Sequence, residues 1–267
     1  MDLTIISFVL GFISTKIFMG FFKGMLVQSG IVRQNYMGTM IPVGMGLVFL
    51  PYIIINACIA TYFFDEKVVP YYVLGVIAMS LAGVVDDLVG DRSSSGFKGH
   101  FKALFKGTLT TGAFKALFGG AVAFLISLSF TKDLGEIILN TLLIALATNF
   151  FNLLDLRPGR ALKVYSACCI PVLIFSSEVS RLLLGGMLAS ALAYFWDDLK
   201  ARTMMGDSGS NVLGASIGII AAHEFGMWTK IILLSALILV HVVSEKYSIT
   251  KIIEKNRLLN YIDRLGR

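Results

Sequence analysis

The sequence predicts an all-α, polytopic integral membrane protein with about nine transmembrane helices, its N-terminus outside and its C-terminus cytoplasmic. Three observations predict it. Of 267 residues, 56% are hydrophobic and 15% charged, with a mean hydropathy of +0.79. A soluble domain of this size cannot hide that much apolar surface, so lipid must be its solvent. Apolar runs recur at 3–22, 41–63, 69–85, 112–130, 136–154, 164–177, 182–199, 209–224 and 228–246. A spanning helix needs about 20 apolar residues, about 17 at the short end. Basic residues then alternate in density. By sequence count, 17 of the 23 lie in the connections 23–40, 86–111, 155–163 and 200–208 and in the tail from 245. Loops rich in lysine and arginine stay in the cytoplasm, and dropping one short run would spoil the asymmetry. The net charge of +6 therefore reports topology and is not a nucleic-acid signal.

Only 5 prolines and no polar low-complexity tract leave a single transmembrane domain, 1–267, whose end at 246–267 is a cytoplasmic tail. The first run lacks a basic n-region and a small-residue cleavage site, so it is expected to be a retained helix. The second is entered through "NYMGTMIPVGMGLVF", and the third ends in "GVVDDLVGDR", with Asp86 and Asp87 adjacent at the membrane edge. The connection "DRSSSGFKGHFKALFKG" sets His100 among Lys98, Lys102 and Lys106, suiting acidic headgroups or nucleotide phosphates. The fourth run carries Lys115. The fifth ends in "TNFFNLLDLRPGR", where steps of three put Asn149, Asn152 and Asp155 on one helix face. The sixth, interrupted by Pro171, and the eighth are the shortest. "MMGDSGSN" opens the eighth with Asp207 between glycines, then Ser208, Ser210 and Asn211. The ninth places His241 and Glu245 one turn apart. In the tail, Ile249, Ile252, Ile253, Leu258, Leu259 and Ile262 alternate with Lys251, Lys255, Arg257 and Arg264, the pattern of a basic amphipathic helix on an anionic membrane face. Cys58, Cys168 and Cys169 lie in apolar runs without metal-type spacing.

This topology puts Asp86, Asp87, Asp155 and Asp207 at the same membrane edge, where charge is costly unless paired, hydrated or liganded. Carboxylate and amide oxygens make a hard donor set that suits magnesium and not zinc. Gly206 and Gly209, with Ser208 and Ser210, would let backbone N–H groups approach a phosphate at the start of the eighth helix. Each piece also has a plainer alternative. Asp86 and Asp87 could begin a hydrated loop, Asn149 and Asn152 could be interhelical glue, and Asp207 could cap a helix. An interfacial site implies one lipid substrate and one cytosolic substrate.

At these same residues the sequence resembles the polyprenyl-phosphate N-acetylhexosamine-1-phosphate transferases, glycosyl transferase family 4. The resemblance runs from about residue 30 to about 220 and rests on "NYMGTMIPVGMGLVF", "GVVDDLVGD", "NFFNLLDLRPG" and "ARTMMGDSGSNVLGASIG". It implies an enzyme of the bacterial cytoplasmic membrane that uses magnesium. Such an enzyme joins the phosphosugar of a UDP-sugar to polyprenyl phosphate and releases UMP for cell-envelope glycan assembly. A homodimer is a candidate assembly. Asp207 would ligate magnesium with the diphosphate, sharing the metal with Asp87 and Asp155. Asp86 and Asp87 would bind the lipid phosphate, one of them as base. Asn149, Asn152 and Asp155 would hold the nucleotide and the metal shell, with Ser208 and Gly209 as further substrate-binding residues.

The chain also departs from the family pattern. The usual Asp-Gly-x-Asp-Gly reads Asp155-Leu-Arg-Pro-Gly159 here, with Pro158 in place of the second aspartate and Arg157 and Arg160 added. Both arginines could grip a phosphate or diphosphate. The expected His-rich segment near the end is absent, and His241 stands in a helix instead. These departures motivate the alternative of a degenerate member that binds lipid phosphate or a partner without turnover. A transporter fits less well, because the carboxylates are confined to one edge.

Overall fold

The computed structural model describes residues 2–90 and 107–267. Each of the nine apolar runs is helical in it. In chain order these are α1 (Leu3–Gln28), a 3₁₀ turn (Met45–Phe49) leading into α2 (Leu50–Phe63), α3 (Val68–Val89) and α4 (Thr111–Phe130). They continue with α5 (Leu134–Leu154), α6 (Arg160–Phe175), α7 (Glu178–Leu199), α8 (Asp207–Glu224) and α9 (Met227–Lys246). A two-stranded antiparallel hairpin, β1 (Val32–Gln34) with β2 (Met40–Pro42), follows α1. Two short helices, α10 (Ile249–Lys255) and α11 (Arg257–Arg264), follow α9.

Among the described residues, 7 helices are long and apolar enough to cross a membrane. The two left out are α6, with 16 residues, and α8, the same runs that are shortest in the sequence. Several helices start before their apolar runs because a polar side chain caps them. Ser177 accepts from the Ser180 N–H at the head of α7, and Asp133 from the Glu136 N–H at the head of α5.

Low hydropathy in α8 follows from where it sits. Every residue from Ser208 to Ala222 is buried, and the helix packs against α3, α5, the 3₁₀ turn, α6 and α7. A helix walled by protein needs small residues for close approach more than it needs lipid-soluble ones. A Cβ at Gly214 would lie 2.4 Å from the Ala147 carbonyl oxygen, and one at Gly83 would lie 2.3 Å from that of Asp207. Since Gly75 meets Ile219, α3 and α8 run antiparallel, and the last turn of α3 meets the first turn of α8. The opposite case is α9, with only 11% of its apolar window buried.

Candidate functional site: a carboxylate cluster at the head of α8

The first turn of a helix leaves backbone N–H groups without intrahelical partners and carries partial positive charge. At the head of α8 these donors are taken up by carboxylates from three other helix ends. The Met205 N–H donates to Asp198 at the end of α7, and the Gly206 N–H to Asp155 after α5. Asp87 of α3 accepts from the Asp207 N–H at 2.9 Å and from the Ser208 N–H at 3.0 Å. Asp198 also accepts from the Gly159 N–H at 2.6 Å, which ties the 155–159 turn to the same point. Glycine is required at 206 on two counts. Its φ is +74°, and a Cβ would fall 2.5 Å from an Asp87 oxygen.

This geometry corrects one expectation. The backbone donors at the start of α8 are not open to a phosphate, because the protein's own carboxylates fill them. Ser208 is fully buried with its hydroxyl on the Met205 carbonyl, and Gly209 packs against Gly46. Both are buried within the protein. Asp87, expected as catalyst and metal ligand, spends both oxygens on the α8 backbone, while Arg33 donates to its carbonyl at 2.5 Å.

A second group of side chains stands beside this cap and is open to solvent. Asp207 Oδ2 accepts from Asn152 Nδ2 at 2.8 Å and from Lys115 Nζ. Lys115 also reaches Asp86 Oδ2 at 3.5 Å. Thr111 hydrogen-bonds Asp86, and Asp86 and Asp207 are within reach of each other. The side chains of Lys115, Asp86 and Asp207 are 18%, 25% and 22% exposed, so a ligand can touch all three. Asp155 is near Asp207, Asp198 and Asp87. Burial, then the charges of Asp198, Asp207 and Asp87, push its carboxyl well above the usual carboxylate range. Among the described residues, Lys115 contacts two of these five carboxylates, Asp86 and Asp207, and the charge of Arg267 acts on Asp198, which leaves negative charge in excess.

No three His, Cys, Asp or Glu side chains among the described residues stand close enough to hold a metal on their own. Magnesium commonly takes one or two carboxylates and completes its shell with water and substrate phosphates. Asp207 and Asp155, all-oxygen donors in a region of excess negative charge, fit that mode.

The other expected residues are dispersed. Asn149 is half-buried in α5, and its side chain has no hydrogen-bond partner among the described residues. Arg157 faces a cavity described below. Arg160 is buried and bonded to Asp263 (2.8 and 3.0 Å) and to Thr250 (3.0 Å), so its guanidinium holds the C-terminal segment. His241 is buried in α9 with Nδ1 against the Leu237 carbonyl. His100, Lys98, Lys102 and Lys106 lie outside the described residues. Sequence reasoning passed over two members of the site. Lys115 stood out only as a charge inside an apolar run, which is itself a reason to look for a partner. Asp198 ends a second Asp–Asp pair, Asp197-Asp198, closing an apolar run as Asp86-Asp87 does.

The fold and the site together define a polytopic helical membrane protein with an acidic centre built from the ends of its helices. The family model described as glycosyl transferase family 4 matches residues 69–223, more than half of the chain, and the chain belongs to that family. Membership makes it a transferase of the kind that moves a sugar phosphate onto a lipid carrier. The matched stretch contains every member of the acidic centre and leaves out the hairpin and the C-terminal segment. No curated protein matches the chain.

Proposed function

We propose that this transferase moves a sugar-1-phosphate, of the N-acetylhexosamine type, from a UDP-sugar to polyprenyl phosphate and releases UMP. The reaction runs at the cytoplasmic face of a bacterial membrane that the nine helices span, with the C-terminus inside. The supporting observation is the meeting of Asp86, Lys115, Asn152, Asp155 and Asp207 from α3, α4, α5 and α8 at one end of the helices.

In this reading a lipid phosphate oxygen bonds to the sugar-side phosphorus of the donor. The bond from that phosphorus to the UMP oxygen breaks, and the electron pair leaves with UMP. Asp86, partly exposed beside Lys115, orients the lipid phosphate and takes up its proton. Lys115 balances charge on the reacting phosphates. Asn152 and Asn149 present amide donors to the nucleotide side. Asp207 and Asp155 would hold magnesium, and the ion would supply neutralisation of the charge developing on the leaving phosphate. Asp87 and Asp198 act on geometry alone by pinning the head of α8.

The Asp207→Ala protein, supplied with polyprenyl phosphate and UDP-sugar, is expected to lose magnesium-dependent UMP release. Release at the unaltered rate would sink the role given to Asp207.

A further inference from the structure

The C-terminal segment does more than trail from α9. Lys163 Nζ donates to the carbonyls of Ile262, Asp263 and Leu265 at 2.8–2.9 Å, and Lys200 Nζ to that of Gly266 at 2.8 Å. Arg267 reaches the Pro158 carbonyl at 2.8 Å and Asp263 at 2.9 Å. These contacts seat α11 over the 155–159 turn, and a cavity of about 300 Å³ remains between them. Its walls come from three places in the chain: Tyr36 from the hairpin tip, Arg157 and Pro158 from the turn, and Asn260, Arg264 and Arg267 from the tail, among others.

The chemistry of those walls is specific. The guanidinium groups of Arg157 and Arg264 have no hydrogen-bond or ion-pair partner among the described residues; of the two acids in the lining, Asp263 is already held by Arg160 and Arg267, and with Glu254 counted the three arginines still outnumber the acids. Two uncommitted guanidinium groups with fixed fork geometry are suited to phosphate oxygens. Tyr36 is 58% exposed and offers a ring face on which a base can stack. Asn260 supplies an amide able to donate and accept. The volume is at the small end of ligand pockets, in keeping with one part of the soluble substrate lying within it. The turn that carries Asp155 also lines the cavity, so the cavity adjoins the acidic centre.

We propose that this cavity receives the nucleotide part of the soluble substrate, with its phosphate on Arg157 and Arg264 and its base against Tyr36. The inference rests on the proposed function for the identity of that substrate. It adds that a wall of the nucleotide site is built by segments outside the family-matched stretch, so that the tail takes part in substrate choice.

The full chain in phosphatidylcholine nanodiscs provides the test, by equilibrium binding of UMP and of uridine. Arg157→Gln and Arg264→Gln are each expected to weaken UMP about tenfold or more while leaving uridine affinity unchanged. Tyr36→Ala is expected to weaken both ligands about fivefold or more. Tail hydrogen exchange equal to that of the unaltered chain checks that the arginine variants remain docked. UMP affinity unchanged in both arginine variants overturns the proposal. So does a second result in nanodiscs containing phosphatidylglycerol: loss of anionic-lipid selectivity in those variants with UMP binding intact, which assigns the arginines to a headgroup. Arginine-dependent UMP binding in a chain that transfers no sugar phosphate sinks the transfer reading and leaves this one standing. Transfer with unaltered UMP affinity in the variants does the reverse.

Discussion

Two charged clusters lie at the same end of the molecule, and they differ in how completely their charges are met. Around Asp263, two arginines face one carboxylate. Arg160 forms a two-pronged pair with it, Thr250 takes a further guanidinium donor, and Lys163 closes the carbonyls at the end of α11. Around Asp207, the carboxylates Asp86, Asp87, Asp155 and Asp198 gather with Lys115 as the cation in contact. A closed cluster holds structure together. An open one retains unbalanced charge that burial makes costly, and such sites are kept where chemistry needs them. The acidic centre falls within the family-matched stretch, and the closed cluster draws on the tail beyond it.

The sharpest way to break this contrast is to remove the lysine. Lys115→Met leaves Asp86 and Asp207 facing each other without a cation, and leaves the tail contacts untouched. UMP release is expected to fall about 10²–10³-fold, the loss typical of a deleted charge-stabilising donor in an active site. Full activity would show that Lys115 serves packing alone.

The closed cluster is expected to respond in stability instead. Asp263→Ala strands Arg160, which is 3% exposed, and removing one partner of a buried pair costs about 3–5 kcal/mol. That is enough to release the tail. Amide hydrogen exchange over 249–264 should rise while α3, α5 and α8 stay protected. The reciprocal experiment sharpens the comparison, because Asp207→Ala should leave exchange in the tail unchanged.

The two clusters were unequally legible in the sequence, for a physical reason. Asp86, Asn152, Asp155 and Asp207 are visible because each ends or begins an apolar run, where a polar group is conspicuous. Hydropathy could not convey that α8, one of the two weakest runs, is central, since its apolar requirement is relaxed by burial between α3 and α5. The filling of the α8 donors was also hidden. It depends on Asp87, Asp155 and Asp198 reaching Met205–Ser208 from three separate helix ends. Arg160 and Asp263 are 103 positions apart, and nothing local in either stretch announces the pair. The tail reads as an amphipathic membrane helix because Leu258, Leu259 and Ile262 stay exposed. Its docking contacts use backbone carbonyls, which no side-chain pattern reveals. The three-residue strands of the hairpin are too short to leave a periodic signal.

Acid should separate the clusters most gently. Burial alone would raise the Asp263 carboxyl, but its bonds to Arg160 and the charges of Arg160 and Arg267 outweigh that and hold it below the usual carboxylate range. A carboxylate whose docked pKa is lowered contributes stability that is present above its ordinary value, about 3.9, and is lost as pH falls through the docked value. Tail docking is therefore expected to be insensitive to pH between about 5 and 8 and to weaken progressively below about 4. Exchange over 257–264, corrected for the intrinsic rate at each pH, measures it. Asp263→Asn provides the control, with less protection throughout and no remaining step in this acid window. Protection of the tail that does not change down to pH 3 would mean that Lys163 and Lys200, by their grip on backbone carbonyls, hold α11 without the ion pair.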